Sequence, residues 1–276
     1  MRKLFLFLII IMYSILPVSG QTNPSEAPVV LEKLYKRLVS IYTDTDRVRI
    51  NDSIKTIIEG YVTSDTVFNH RFRNLRYLGQ ITSPDSILKI VTWNLVLGDG
   101  GSRYFCYFIK KQSDGKPNKI WRLTSLYNEA PVKKDTTYTE SDWYGALYYD
   151  LRPFEINDQN IYVLLGIDYG NPFISRKIVD VLSFSQSDSL VFGRRMFNNG
   201  TTRKYRDVQE YASNGMMSMR FTTDTTIVFD HLVPIAPVYK DDRQYYGPDY
   251  SYDAWNFDKG MWYLIINVDA RNKEQE

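Results

Sequence analysis

The sequence predicts an α+β, mostly β fold, in which an N-terminal helical hairpin precedes a large antiparallel β meander. Three observations lead to this prediction. Apolar residues recur at three- and four-residue spacings between residues 26 and 62, which is the period of a helix. From about residue 75, β-branched and aromatic runs are separated by Asp-Gly and Gly-Gly turns, the pattern of hairpins. Aromatic residues make up 15% of the chain and suit half-buried, pleated surfaces.

Each helix of the predicted hairpin has one apolar face. Pro28 suits the first turn of the first helix, where its missing N–H is not needed. The second helix is expected to begin near Asp46, a favourable capping residue, and to end close to Gly60. The faces are Leu31, Leu34, Tyr35, Leu38, Ile41 and Tyr42 in the first helix, and Ile50, Ile54, Ile57, Ile58 and Tyr61 in the second.

About a dozen strands are predicted after the hairpin. Short connections favour antiparallel neighbours, so we expect a sandwich or a curved sheet that the hairpin partly covers. A propeller-like array is the alternative, although the sequence has no repeat at a fixed period. The predicted strands are 87–93, 103–110, 120–127, 144–150, 161–167, 177–184, 189–193, 204–211, 216–222, 225–230, 252–258 and 261–268.

The first twenty residues have the pattern of a secretory signal peptide. A basic start, Arg2-Lys3, precedes a short apolar run and the small residues Ser19-Gly20. We therefore divide the chain into a signal peptide (1–20), a helical hairpin (21–64) and a β domain (65–276). Cleavage before Gln21 would yield an exported protein, periplasmic or extracellular, without an integral membrane span. An uncleaved anchor is the alternative.

Composition excludes several classes of protein. The 34 Lys and Arg residues nearly balance the 32 Asp and Glu residues, and two of the basic residues lie in the signal peptide. This neutrality argues against nucleic-acid binding, which normally needs a basic face. The single cysteine, Cys106, permits no intramolecular disulfide. Because Gln21 and not a cysteine would begin the mature chain, the protein is not expected to be a lipoprotein.

Few residues could support catalysis. His70 and His231 are the only histidines and have no metal-binding spacing, so we expect neither a metal nor a cofactor. His231 ends a predicted strand, where a structural hydrogen bond is the simplest interpretation. Cys106 alternates with Tyr104 and Phe108 on one strand face, so we expect a buried and unreactive thiol.

The densest unusual segment is 245–258, which combines tyrosines, a tryptophan and three aspartates. Its candidate ligand-binding residues are Asp249, Tyr252, Asp253 and Trp255. Aromatic rings beside carboxylates would suit the stacking and hydrolysis of sugars, or passive binding of a sugar or peptide. Strand alternation places Asp253 and Trp255 on the same face. The alternative is a Gly-Pro-Asp turn before a strand whose rings pack in the core.

A triplet of Asp, Ser or Thr and an aliphatic residue or Thr recurs in the chain. It resembles the acceptor triplet of an O-glycosylation system that acts on exported proteins of some bacteria. The same pattern also occurs where a turn precedes a strand, so both interpretations stay open. The triplets begin at Asp52, Asp65, Asp85, Asp135, Asp188 and Asp224.

Several phrases between residues 65 and 272 resemble a family of exported bacterial proteins that has no assigned biochemical activity. The resemblance implies a soluble envelope protein and carries over no catalytic residue. The phrases are Phe68–Phe72, Leu78-Gly79, Ser83–Asp85, Val91–Asn94, Trp143–Tyr149, Leu165–Asp168, Arg176-Lys177, Tyr246–Asp249 and Val268–Asn272.

These observations favour a non-catalytic protein that binds a glycan, a peptide or an envelope partner. The alternative is a carboxylate-dependent glycan hydrolase that uses aspartates of the 249–258 region. A third candidate is a subunit that docks a partner through a broad apolar patch.

Overall fold

A pair of helices and three sheets, antiparallel except for one strand pair, make up the described part of the fold. The computed structural model describes residues 26–98, 100–113, 115–125, 131–169 and 171–269. The predicted signal peptide lies outside these residues. So do Asp99 and Asp114 in two predicted turns, the last two residues of the strand predicted at 120–127, and the end of the phrase Val268–Asn272.

The helices are α1 (Ala27–Ser40) and α2 (Asp44–Val62). As predicted, Pro28 lies in the first turn of α1. The predicted capping residue of α2, Asp46, was three residues late, because Thr43 caps the helix. The Thr43 hydroxyl oxygen accepts a hydrogen bond from the Asp46 N–H, so Asp46 lies inside the first turn.

The helix-covered sheet contains β1 (Gly79–Thr82), β2 (Leu88–Val96), β3 (Ser102–Lys110) and β4 (Lys119–Ser125), in that order. Strand alternation gives it two apolar faces. Val91, Trp93 and Phe105 pack against the helices. Ile90 and Phe108 face the next sheet. Both faces are covered, so β2 and β3 are buried along most of their length.

The central sheet contains six strands. Its order is β5-β9-β8-β7-β6, with β12 also paired to β8. Apolar residues of β7 alternate between its two faces, which pack against the helix-covered sheet and the outer sheet. Double burial explains the nearly continuous apolar run in this strand. The strands are β5 (Tyr138–Thr139), β6 (Leu147–Ile156), β7 (Gln159–Asp168), β8 (Ile174–Phe184), β9 (Leu190–Phe192) and β12 (Asp207–Ala212).

The outer sheet has the order β11-β10-β16-β15-β14-β13. Its strands pair antiparallel, except that β10 and β16 run parallel. Two single-turn 3₁₀ helices, Pro237–Tyr239 and Arg243–Tyr245, connect β14 to β15. The strands are β10 (Phe197–Asn198), β11 (Arg203–Lys204), β13 (Met219–Thr223), β14 (Thr226–Pro234), β15 (Tyr246–Asp258) and β16 (Met261–Ile265).

The predicted class, α+β and mostly β with antiparallel sheets, is confirmed. Instead of one meander, the strands form three sheets, and the layers run helices, helix-covered sheet, central sheet and outer sheet. The two-residue strands β5, β10 and β11 were not predicted, because so short a segment has no periodicity to detect. No helix described here is long and apolar enough to cross a membrane.

Cys106 is buried on the face that it shares with Tyr104 and Phe108, as its alternation predicted, and this face lies between the helix-covered and central sheets. Its side chain is 1% exposed, and burial raises the pKa of its thiol well above the ordinary value. We therefore expect a thiol reagent to label the native protein only at the rate of global unfolding. Cys106→Ala should fold at a cost of about 1 kcal/mol.

The labelling control is Lys33→Cys in the Cys106→Ala background, because Lys33 lies on the exposed face of α1. This thiol should react at once. Equally rapid labelling of the wild type would contradict the buried assignment.

Candidate functional site

The tyrosine-rich segment forms strand β15, which is interrupted by a wide bulge. Tyr252 pairs with Asp230 and Pro248 pairs with Leu232, so three residues of β15 lie opposite one residue of β14. At the bulge, Tyr250 has a φ of 71° and its side chain is 94% exposed. The bulge interrupts the predicted alternation at Tyr250 and Ser251, and regular pairing resumes at Tyr252.

Trp255 lies in the core between the central and outer sheets. Its side chain is 1% exposed, and its ring meets that of Phe197 at 5.4 Å in an edge-to-face arrangement. The indole Nε1–H donates to the Asp207 carboxylate at 3.0 Å. The ring is therefore unavailable as a stacking platform, and the core alternative describes this residue.

Asp253 is buried, and partners within the protein occupy its carboxylate. Oδ2 lies 2.7 Å from His231 Nδ1, and Oδ1 accepts from the Asn267 N–H at 3.0 Å. His231 is thus hydrogen-bonded, as predicted, but the strand-end position was wrong, because β14 continues to Pro234 and His231 lies at the bulge. Its partner comes from the neighbouring strand, which local sequence could not identify.

Asp249 and Tyr252 are the two accessible members of the predicted set. Asp249 is exposed and accepts from the Ser251 hydroxyl at 2.7 Å and from the Ser251 N–H at 3.0 Å. These hydrogen bonds lower the pKa of the Asp249 carboxyl. An ionised Asp249 is unsuited to the role of general acid. The structure therefore leaves the predicted cluster divided between core and surface.

Another set of side chains forms a better candidate site. The connection from α2 to β1 contains what we call the arginine segment, residues 67–76. Arg71, Arg73 and Arg76 are exposed there, and none has an ion-pair partner among the described residues. Three neighbouring cavities of about 410, 410 and 450 Å³ all include Arg71 in their walls. The segment therefore presents unpaired positive charge along concave surface.

Buried side chains fix the backbone of this segment. The Gln80 amide of β1 accepts from the Phe72 N–H and donates to the Phe72 carbonyl, both at 3.0 Å. The Tyr61 hydroxyl of α2 donates to the His70 carbonyl at 2.6 Å. These hydrogen bonds tie Phe72 and His70 to regular elements, so the arginines project from an ordered backbone.

Lys89 of β2 forms hydrogen bonds with the main chain of the arginine segment. Its side chain is 1% exposed, and its ammonium donates to the carbonyls of Val67 and His70, the latter at 2.7 Å. It also lies 5.2 Å from the centre of the Tyr61 ring. No carboxylate contacts the ammonium in the described part of the chain. Burial, with a contribution from nearby Arg71, lowers its pKa to about 8.

The cavity of about 450 Å³ above Lys89 is called here the Lys89 cavity. Asn69, Arg71 and Lys89 line it, together with Tyr149 and Asp150 of β6. Sequence reasoning missed it. The only signal was a lysine within the apolar run of β2, which alone would have suggested an exposed position.

A second basic cavity, of about 940 Å³, lies beside the β10–β11 turn. Arg195, Arg203, Lys134 and Lys204 line it together with one carboxylate, Asp135. Lys134 donates to a main-chain carbonyl, and Lys204 is 4.0 Å from the Asp207 carboxylate. This cavity contains no fully buried cation, which distinguishes it from the Lys89 cavity.

The chain matches no protein-family model, curated protein or solved structure. Within the described residues, no group of three or more His, Cys, Asp or Glu side chains is arranged to hold a metal ion.

Trp255→Ala should reduce the free energy of unfolding by about 3–5 kcal/mol, because it leaves a cavity in the core. The matched control is Tyr250→Ala, which removes an exposed ring from the same strand and should cost less than about 0.5 kcal/mol. Denaturant titration measures both. A small loss for Trp255→Ala would contradict its core position.

Lys89 should make stability depend on pH. Its pKa is about 8 in the folded protein and 10.5 is the ordinary value. Between these values the unfolded chain binds more protons, so the free energy of unfolding rises with pH. From pH 7 to pH 9, the wild type should gain about 1 kcal/mol relative to Lys89→Met.

The buried tyrosines titrate in both proteins. Their contribution to the pH dependence of stability therefore cancels when the wild type is compared with Lys89→Met. Lys33→Met serves as the control and should keep the wild-type pH dependence. Parallel stability curves for the wild type and Lys89→Met would show that the Lys89 pKa is not lowered.

Proposed function

We propose that the protein is an exported envelope protein, periplasmic or extracellular, that binds an anionic glycan, peptide or envelope partner without catalysis. The observation that carries this proposal is the arginine segment. Arg71, Arg73 and Arg76 are exposed and have no ion-pair partner in the described part of the chain, and they line neighbouring cavities. Because the chain as a whole is nearly neutral, a local group of unpaired cations is not a consequence of composition.

Two physical features suit this region to binding. The hydrogen bonds from Gln80 and Tyr61 hold the backbone in place, so little conformational entropy is lost when a ligand binds. Guanidinium groups can also pair with carboxylate, sulfate or phosphate oxygens through two parallel hydrogen bonds. A row of three such groups favours a ligand with several negative charges.

The hydrolase alternative has less support from the structure. Hydrolysis by two carboxylates needs one that can donate a proton and another that can attack or activate water. The hydrogen bonds from Ser251 lower the pKa of Asp249. Both oxygens of Asp253 accept hydrogen bonds within the protein. We therefore favour binding over hydrolysis.

We also propose O-glycosylation at one or more of the Asp-Ser/Thr triplets. Ser53, Thr66, Ser86 and Thr225 are exposed, whereas Thr136 and Ser189 are half-buried. Thr66, Ser86 and Thr225 lie in turns, where a glycosyltransferase can approach most easily.

The double variant Arg73→Gln/Arg76→Gln tests the proposed function. Polygalacturonate and polyglutamate are the anionic probes, and dextran is the neutral one. The wild type should bind the anionic polymers with an affinity that falls as salt rises, and the variant should bind at least about tenfold more weakly. Calorimetry or biolayer interferometry measures both affinities.

Two further double variants have the same change in net charge. Arg49→Gln/Arg220→Gln removes two charges elsewhere and should leave affinity within about twofold, because distant surface charges are screened. Arg195→Gln/Arg203→Gln alters the second basic cavity. If that variant loses binding and Arg73→Gln/Arg76→Gln does not, the arginine segment is not the binding site.

A further inference from the structure

The Lys89 cavity contains a buried charge that no carboxylate of the described chain contacts. The Lys89 ammonium contacts two carbonyl oxygens and the face of Tyr61, and Arg71 adds a second cation to the cavity wall. A buried charge without a counter-ion is unfavourable. An anionic group on a ligand would provide the missing counter-ion.

The same cavity also contains a carboxylate and an amide that can bind hydroxyl groups. Asp150 uses Oδ1 to accept from the Leu151 N–H at 2.8 Å and from the Arg152 guanidinium at 2.5 Å. Its Oδ2 has no hydrogen-bond partner among the described residues, and the same holds for the Asn69 side chain. The Tyr149 hydroxyl is engaged by the Met219 carbonyl at 2.9 Å. The free groups are thus a carboxylate oxygen and an amide, both of which can bind hydroxyl groups.

The cations and the free carboxylate oxygen together restrict which ligands the cavity can bind. A phosphorylated group with close to two negative charges would meet repulsion from Asp150. A group with one negative charge and several hydroxyls would satisfy both parts of the cavity. A volume of about 450 Å³ is sufficient for a sugar residue.

We propose that the Lys89 cavity binds a carboxylate-bearing sugar, a uronic acid residue. Its carboxylate contacts Lys89 and Arg71, and its hydroxyls contact Asp150 and Asn69. This proposal rests on the proposed function and narrows its ligand to an acidic glycan, in which the neighbouring sugars extend over Arg73 and Arg76.

The test uses D-glucuronate as the probe, with D-glucose and glucose 6-phosphate for comparison, in calorimetry or NMR titration of the mature protein. Glucuronate should bind at least about tenfold more tightly than either comparison sugar. Arg71→Gln and Asp150→Asn should each weaken glucuronate binding about tenfold, since one removes the anion contact and the other weakens hydroxyl acceptance. Asn at 150 retains an acceptor for the Leu151 N–H, and a thermal melt confirms that each variant is folded.

Arg73→Gln/Arg76→Gln separates this proposal from the function on which it rests. That variant should leave glucuronate affinity within about twofold and weaken only polygalacturonate. If glucose 6-phosphate binds as tightly as glucuronate, or if Arg71→Gln and Asp150→Asn both bind normally, the uronate assignment is wrong. If polygalacturonate fails to bind while glucuronate binds, the cavity assignment stands and the proposed role of Arg73 and Arg76 is wrong.

Discussion

Burial of the central sheet on both faces is the constraint on which the rest of the structure depends. One face of β7 and β8 packs against the helix-covered sheet, and the other packs against the outer sheet. The apolar side chains on both faces of these strands can be buried only if another layer covers each face. The two large hydrophobic cores on either side of this sheet are the principal source of stability. The helices then cover the remaining apolar face of β2 and β3, which would otherwise be exposed.

A sheet buried in this way can tolerate charges only if they are paired. Arg206 and Asp180 are both fully buried, and the guanidinium donates to the Asp180 carboxylate at 2.9 Å and to three main-chain carbonyls. Arg176 is paired with Asp168 at 2.9 Å and with Glu210 at 2.8 Å. Removing one partner of such a pair would leave an uncompensated buried charge. Lys89 differs from both arginines, because only carbonyl oxygens and an aromatic ring contact its ammonium.

This difference relates stability to the proposed function. A buried cation without a counter-ion destabilises the fold, and such groups concentrate at sites that bind ligands. Lys89 donates to main-chain carbonyls of the arginine segment, whose arginines also have no ion-pair partner among the described residues, and Lys89 and Arg71 line the same cavity. The aspartates of the outer sheet differ from these unpaired cations. The buried Asp253 and the exposed Asp249 of β15 both form hydrogen bonds with neighbouring groups, which leaves them less capacity to recognise a ligand.

Local sequence determined the elements whose signals are periodic. The helix faces, the main strands and the buried position of Cys106 followed from spacing, because a side chain's direction within one element depends only on its position there. Tyr42 was wrongly placed on the first helix face, since α1 ends at Ser40 and the Tyr42 side chain is exposed. Tertiary structure decided how those elements combine: three sheets in place of one meander, the parallel pairing of β10 with β16, and the burial of Trp255. It also decided two contacts that local sequence did not predict. His231 and Asp253 are 22 residues apart in sequence, and Lys89 is 19 residues from His70. Such pairs form only when separate segments pack together, and no local pattern encodes which segments will meet.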